Sequence, residues 1–170
     1  PMRRSGTVTM KHDYQIVELE KGSGEWLAWR HQGIGKADAA DVMGVSLSIP
    51  GTLMNAKKLD RPRRPTPSPE QEEGSILEPK ARTAFEDSFA REMPATCVQN
   101  IKNPWMKASL DGLSLDGSSP LEISCGRKTY SRTNTVGRPP KYIWPQLQHI
   151  LAVTGLPGID FWCYRPSRDP

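Results

Sequence analysis

Apolar positions recur with a helical period in the first part of this chain. Ser23 provides an N-cap for a helix that ends at Gly33 and carries Trp26, Leu27 and Trp29 at helical spacing. A tight link at 33–36 leads to a second short helix, predicted from Ala37 to Met43 and closed by Gly44. A short strand is predicted before both helices, at residues 15–19.

A third helix is predicted after Ser68. The run Ser68-Pro69-Glu70-Gln71 supplies an N-cap, a first-turn proline and the glutamine of a capping box. Pro79 removes a backbone donor from this helix, so we expect a kink beside Glu78. The apolar face of the helix comprises Leu77, Ala81, Ala84, Phe85 and Phe89.

Apolar positions recur with a period of two on either side of residues 116–117. The Asp116-Gly117 pair itself is typical of a tight turn. The turn predicts a hairpin between residues 109–115 and 120–125. Alternation on its second strand places Leu121, Ile123 and Cys125 on one face, and Glu122 and Ser124 on the other.

A long helix at 141–154, with a last strand at 161–164, completes the pattern. The buried stripe of this helix is predicted to comprise Ile143, Trp144, Leu147, Ile150 and Leu151. The succession of helices, hairpin, helix and strand predicts an α/β fold, with a mixed β-sheet core flanked by helices.

The composition narrows the class of protein. The chain has 170 residues, a net charge of +4 and three cysteines without CxxC spacing, which favours one reduced, intracellular domain. A basic, proline-rich loop is predicted at 57–69. The sequence shows no apolar run of membrane-spanning length and no signal-peptide core, so we expect a soluble cytoplasmic protein without membrane contact.

Three acidic residues stand out against this background. Asp111 and Glu122 lie on the two strands of the hairpin, and Glu78 lies on the preceding helix. If the three carboxylates converge, they suit Mg²⁺ or Mn²⁺ together with the backbone carbonyl of Ile123. Each acid also has a simpler interpretation as an exposed charge, and Asp111 as the first residue of an Asp-Gly turn.

Several ordered segments between residue 25 and about residue 164 resemble the lambda-exonuclease or YqaJ-type viral recombinases, a branch of the PD-(D/E)xK nuclease superfamily. The segments are EWLAWR at 25–30 with GIG at 33–35, GSILEPKAR at 74–82, ASLDGL at 108–113, LEISC at 121–125, PQLQH at 145–149 and AVTG at 152–155. The resemblance implies a restriction-endonuclease-like fold. It also implies that Asp111 and Glu122 bind the metal, with Glu78 nearby.

The resemblance implies further roles on the helices. Gln146 is expected to hold the scissile phosphate or the attacking water, and Gln148 to support it. Arg30 belongs to a pocket for the 5′-phosphate of a DNA end, where a guanidinium can grip phosphate oxygens. The family hydroxyl at the head of the next helix is replaced here by Ala37, so we expect Lys36 to supply charge instead. Arg30 also has a purely structural interpretation, as a favourable charge ending its helix.

Ser124 departs from the family pattern, because the resemblance places a catalytic lysine at this position. Three explanations remain open. A cation from elsewhere enters the site, with Arg127, Lys128 and Lys141 the nearest candidates in the sequence. Alternatively, the protein has lost catalysis and kept DNA binding, or the serine was introduced deliberately. On this basis Ser124→Lys is expected to raise activity strongly.

The resemblance implies a Mg²⁺- or Mn²⁺-dependent, phage-type 5′-to-3′ exonuclease that acts on double-stranded DNA ends in recombination. It further implies a trimer and a single-strand-annealing partner, encoded by a phage or prophage in a bacterial cell. The alternatives are a catalytically impaired DNA-end-binding protein and a related endonuclease. The predicted organisation is an extension at 1–24, the nuclease domain at 25–164 and a tail at 165–170.

Overall fold

The computed structural model describes residues 12–45, 56–58 and 66–166. Its strands are β1 Tyr14–Val17, β2 Thr96–Asn100, β3 Lys107–Leu110, β4 Gly112–Leu113, β5 Pro120–Ser124 and β6 Asp160–Cys163. Its helices are α1 Gly24–His31, α2 Ala39–Val42, α3 Pro69–Phe89, α4 Arg127–Val136 and α5 Trp144–Thr154, and a 3-10 helix at Lys36–Asp38 precedes α2. Residues 59–65 of the predicted basic loop lie outside the described residues.

Two three-stranded sheets meet at Asp111. The first is antiparallel in the order β1-β2-β3; in the second, β4 and β5 are antiparallel while β5 and β6 run parallel. Strands β3 and β4 are separated only by Asp111, so one extended segment contributes to both sheets. The α/β fold class and the mixed strand directions are therefore confirmed.

Each sheet has its own apolar core. The first sheet and Leu113 of β4 pack against α5 and Leu156, in a cluster that comprises Tyr14, Val98, Ala108, Leu110, Leu113, Ile150, Val153 and Leu156. The second packs against α3 through Ala81, Phe85, Met93, Leu121, Ile123 and Cys125. The predicted alternation on β5 is confirmed, because Leu121, Ile123 and Cys125 all face α3. The opposite face of β5, which carries Glu122, is left for the site.

The local signals in the first part of the chain are also confirmed. The Ser23 hydroxyl accepts a hydrogen bond from the Trp26 N–H at 3.1 Å, and Ser68 forms the predicted capping box with Gln71. The tight turn before β5 contains Gly117 at φ +74°, whose N–H donates to the Ser114 carbonyl at 2.8 Å. These caps and turns fix the ends of the elements that carry the site.

The structure adds two elements that were not predicted, strand β2 and helix α4, and it shows α3 as one helix that contains Pro79. Helix α5 begins at Trp144, not at residue 141, and Trp144 is 46% exposed instead of lying in the buried stripe. The buried face of α5 is rotated accordingly and comprises Pro145, Leu147, Ile150, Val153 and Thr154.

Candidate metal centre

Asp111 occupies the break between β3 and β4. Its side-chain Oδ2 accepts a hydrogen bond from the Ile123 N–H at 3.0 Å, so the carboxylate takes the place of a backbone carbonyl beside β5. The Asp111 carbonyl in turn accepts from Arg82 Nε at 2.6 Å. At the next residue, a Cβ on Gly112 would lie 2.9 Å from Met93, so only glycine fits without displacement. The break thus presents a buried carboxylate whose Oδ1 remains directed at other partners.

Asp111 and Glu122 converge on one cation. Lys36 Nζ lies 2.9 Å from Asp111 Oδ1 and 2.5 Å from Glu122 Oε2. Both carboxylates are buried, with 3% and 5% of their residue surfaces exposed. A buried charge is stable only when it is paired, and the ammonium group provides this pairing. The predicted approach of these two acids is therefore present in the structure.

Lys36 reaches the acids because the segment at 33–38 is fixed along the edge of β3. Ile34 forms a parallel bridge with Met106, and its N–H donates to the Trp105 carbonyl at 2.7 Å. A Cβ on Gly33 would lie 2.5 Å from the same carbonyl, so the glycine permits this close approach. Asp38 Oδ2 accepts the Gly35 N–H at 2.9 Å and closes the turn before the 3-10 helix.

Glu78 is joined to this pair through cations. Lys21 Nζ lies 2.8 Å and 2.9 Å from the two carboxylate oxygens of Glu78, and 3.3 Å from Asp111 Oδ1. Arg82, one turn after Glu78 on α3, donates to the same carboxylate at 3.1 Å. Among the described residues, no group of three His, Cys, Asp or Glu side chains is arranged to hold a metal ion. Lys21 lies between Glu78 and Asp111.

Burial and the neighbouring charges shift the pKa values of the two buried carboxyl groups in opposite directions. Burial opposes the ionisation of Asp111, but the charges of Lys36 and Lys21 outweigh it and lower its pKa to about 2. Burial raises the pKa of Glu122 to about 7, and the adjacent charge of Asp111 adds to this effect against the attraction of Lys36. Burial would lower the pKa of Lys36, yet the two carboxylates raise it above the ordinary lysine value.

The donor set suits a hard divalent cation. Asp111 Oδ1 and Glu122 Oε2 already share one positive centre, the Lys36 ammonium, so a position between them favours positive charge. The Ile123 N–H points toward Asp111, and the N–H and C=O of one strand residue point to the same side. The Ile123 carbonyl is therefore directed to this side as well, where the sequence predicted a third oxygen ligand.

Ser124 lies on β5 two residues after Glu122 and is half-buried. The cations proposed from the sequence to replace its missing charge lie elsewhere. Arg127 pairs with Glu73 on α3 at 3.6 Å, and Lys128 and Lys141 are exposed. The structure instead brings Lys36 and Lys21 to the acids.

The glutamines lie on the first two turns of α5, with Gln146 half-buried and Gln148 exposed. This helix packs against the 3-10 helix that carries Lys36, and against β3. The buried Asn100 fixes α5 to the first sheet, because its Nδ2 donates to the Val153 carbonyl at 2.9 Å. The structure gives no direct contact between either glutamine and the acids, so their roles remain proposals.

Arg30 lies in the last turn of α1, close to the turn that precedes Lys36. Its guanidinium stacks over the Trp26 ring at 4.6 Å, and a Cβ on Gly35 would lie 3.8 Å from its Nε. Lys57 donates to the Arg30 carbonyl at 2.8 Å and pairs with Asp38 at 3.3 Å. Arg30 thus lies beside the segment that carries Lys36.

Sequence reasoning missed two residues of the site. Arg82 was recognisable in principle, because it follows Glu78 by four residues on one helix and such pairs lie side by side. Lys21 carries no local signal, since its contact with Asp111 spans 90 residues of sequence. Both residues compensate carboxylates that the sequence did identify.

The fold is that of a known nuclease. The crystal structure of LHK-Exo in complex with dAMP has a TM-score of 0.73 with 25% sequence identity, and the match covers 87% of this chain and 76% of that chain. A second structure, of the alkaline exonuclease LHK-Exo from Laribacter hongkongensis, has a TM-score of 0.72 with 24% sequence identity, and the match covers the same shares of the two chains. The fold and the paired acids therefore define a protein of the alkaline-exonuclease structural class, which confirms the restriction-endonuclease-like fold.

The sequence comparison gives the family. The model of the YqaJ-like viral recombinase domain matches residues 25–157, which is most of the chain. The chain belongs to this family, and the predicted membership is confirmed. No curated protein matches the sequence. Within the described residues, no helix has the length and apolar character needed to cross a membrane.

Proposed function

We propose that this protein is a metal-dependent deoxyribonuclease, a phage-type exonuclease that degrades double-stranded DNA from its 5′ ends. The observation that carries the proposal is the buried pair of Asp111 and Glu122 sharing one cation at a break in the sheet. The membership in the YqaJ-like family and the likeness to an alkaline exonuclease crystallised with dAMP support this choice among hydrolases.

Asp111, Glu122 and the carbonyl of Ile123 would hold Mg²⁺ or Mn²⁺, with Glu78 contributing from the outer side of the site. The metal would activate water and neutralise charge on the scissile phosphate. The protein's own part is to keep both acids buried and aligned. It does so through two hydrogen bonds to Asp111, one from the Ile123 N–H to the carboxylate and one from Arg82 Nε to the backbone carbonyl.

Two further groups are proposed to hold the DNA end. Arg30 would receive the 5′-phosphate, since it lies beside Gly35 at the entrance to the segment that carries Lys36. Gln146 would orient the scissile phosphate or the attacking water from α5, with Gln148 in support. The helix that carries Gln146 packs against the 3-10 helix of Lys36 and against β3, which supports placing one DNA end across these elements.

A basic, acid-free stretch supports a polyanionic substrate. Between Glu122 and Asp160 the sequence has five Lys or Arg residues and no Asp or Glu. A groove there is lined by cationic and aromatic side chains, which include Arg132, Arg138, Lys141, Tyr142 and Trp144. Tyr142 and Trp144 are about half exposed, so they are available for stacking on bases.

The biological setting follows from the family. We propose action inside a bacterial cell in recombination encoded by a phage or prophage. The protein would act as a homo-oligomer, a trimer by resemblance, with a single-strand-annealing protein as its partner.

The test uses purified protein with linear and closed circular duplex DNA, in Mg²⁺ or in EDTA. We expect Mg²⁺-dependent loss of linear DNA only. The Asp111→Asn variant, which keeps the size of the side chain and an acceptor for the Ile123 N–H but removes the negative charge, should be at least about 10²-fold less active. Nicking of the closed circular DNA would indicate an endonuclease instead of an exonuclease. Retention of DNA ends without cleavage would leave only the end-binding alternative.

A further inference from the structure

We infer that Lys36 is the catalytic cation of this nuclease and takes the role that the family assigns to a lysine at position 124. The inference rests on the proposed nuclease function and deepens it. It explains how a chain with Ser124 keeps a complete site: the ammonium reaches the acids from the 3-10 helix instead of from β5.

The contacts select Lys36 among the cations near the site. Its Nζ is within hydrogen-bonding distance of both Asp111 and Glu122, and only 16% of its side chain is exposed. Lys21 is 39% exposed and makes its shorter bonds to Glu78, while its bond to Asp111 measures 3.3 Å. Lys36 is therefore the described lysine that joins the two buried acids.

Other cations close by already have structural partners. Arg82 is committed to the Asp111 carbonyl and to Glu78. Lys57 binds the carbonyl of Arg30, and Lys107 binds the carbonyl of Trp29 at 2.7 Å, so both lysines satisfy the C-terminal end of α1. Lys36 has no such helix to cap, and its bonds are to the two acids of the site.

The backbone around Lys36 is suited to precise positioning. Ile34 is bonded on both sides, to the Trp105 carbonyl through its N–H and to the Lys107 N–H through its carbonyl at 3.0 Å. Two residues after Lys36, Asp38 bonds back to the Gly35 N–H. The backbone of Lys36 is thus held between two anchored points, and catalysis of this kind requires charged groups placed to within a fraction of an ångström.

The chemistry assigned to Lys36 is electrostatic. In the proposed hydrolysis a water oxygen forms a bond to phosphorus and the bond from phosphorus to the 3′-oxygen breaks. The water loses a proton to solvent, and the departing 3′-oxygen gains one. Lys36 remains an ammonium throughout: it donates hydrogen bonds to the attacking oxygen or to a nonbridging phosphate oxygen, where negative charge accumulates. Ser124 is uncharged and cannot supply this stabilisation.

The experiment moves the lysine between the two positions. Lys36→Met, Ser124→Lys and the double variant are compared with the wild type on 5′-phosphorylated linear duplex DNA. We expect Lys36→Met to lower kcat by about 10²- to 10³-fold. The kcat of the double variant should be at least tenfold higher than that of Lys36→Met. Ser124→Lys alone should gain little, in contrast to the expectation from the sequence, because the charge is already present.

A second readout does not depend on catalysis. The Lys36 ammonium occupies the position between the acids that a metal would share, so its removal should tighten Mn²⁺ binding by about tenfold or more in a direct titration without DNA. Lys36→Arg keeps the charge and guards against failure to fold. Lys102→Met is the matched control, because Lys102 is 77% exposed and its ion pair among the described residues is with the surface residue Asp13.

The outcomes separate the two proposals. An active wild type with an equally active Lys36→Met variant, or a double variant that recovers nothing while folding normally, overturns the role of Lys36 and leaves the nuclease intact. Unchanged Mn²⁺ affinity in Lys36→Met also contradicts the inference. A wild type inactive with both metals overturns the proposed function, and the inference with it.

Discussion

Glu122 should make the metal-free protein less stable as the pH rises. Its carboxylate is buried beside Asp111, which raises its pKa from 4.5 to about 7. Below pH 4.5 the group is protonated in both the folded and the unfolded chain. Between pH 4.5 and 7 the unfolded chain releases the proton first, so the free energy of unfolding falls across this window.

The size of the effect follows from the shift in pKa. One pKa unit corresponds to about 1.4 kcal/mol, so the full contribution of Glu122 is about 3 kcal/mol. A glutamine at this position keeps the shape of the side chain and cannot titrate. Raising the pH from 4.5 to 8 should therefore destabilise the wild type relative to Glu122→Gln. The difference between their unfolding free energies should change by about 3 kcal/mol.

The measurement is urea unfolding in EDTA at several pH values, followed by tryptophan fluorescence. Groups remote from Glu122 titrate alike in both proteins and cancel in the difference, which leaves the titration of Glu122 and its effect on Asp111 and Lys36. Saturating Mg²⁺ should reverse the trend for the wild type, because the metal binds the ionised carboxylate and adds its binding energy to the folded state. Parallel curves for the two proteins in EDTA, with a difference that changes by less than about 0.5 kcal/mol, would refute the reasoning.

Two pairs of substitutions, each with its own control, test the packing that positions the site. Gly112→Ala should cost about 1–3 kcal/mol, because its Cβ would lie 2.9 Å from Met93; Gly74→Ala, on an open face of α3, should instead stabilise by up to about 1 kcal/mol. Equal unfolding free energies for these two variants would contradict the close approach at the strand break. Asn100→Ala should cost about 2 kcal/mol, since a buried carbonyl of α5 loses its donor, whereas the exposed Asn103→Ala should change little. Urea unfolding measures both pairs, and a null effect at residue 100 would show that this hydrogen bond does not stabilise α5.

Elements with local signals were predictable from the sequence. The Asp116-Gly117 turn and the alternation on β5 both depend on residues within a few positions of one another, and the structure confirms them. Strand β2 escaped prediction because its polar residues hide its extended pattern. The structure shows why those residues are polar: Gln99 accepts from the Trp29 indole at 3.1 Å, and Asn100 bonds to α5.

The candidate site was predictable only in part, because some of its residues have local sequence signals and others do not. Asp111 and Glu122 interrupt apolar strands, which is a signal visible in the sequence. The cations that hold them come from distant segments. The resemblance places Lys36 in the 5′-phosphate pocket, and nothing near it in the sequence points to the acids, because its contacts with them span 75 and 86 residues. No pattern of spacing reveals such a contact before the chain is folded.

The same long separations have a consequence for the chain during its synthesis. Glu122 leaves the ribosome long after Lys36, and no early fragment contains both the acids and the cation that they share. A partly made or truncated polypeptide therefore lacks the assembled centre altogether. The proposed nuclease activity therefore requires a chain that has been synthesised and folded beyond Glu122.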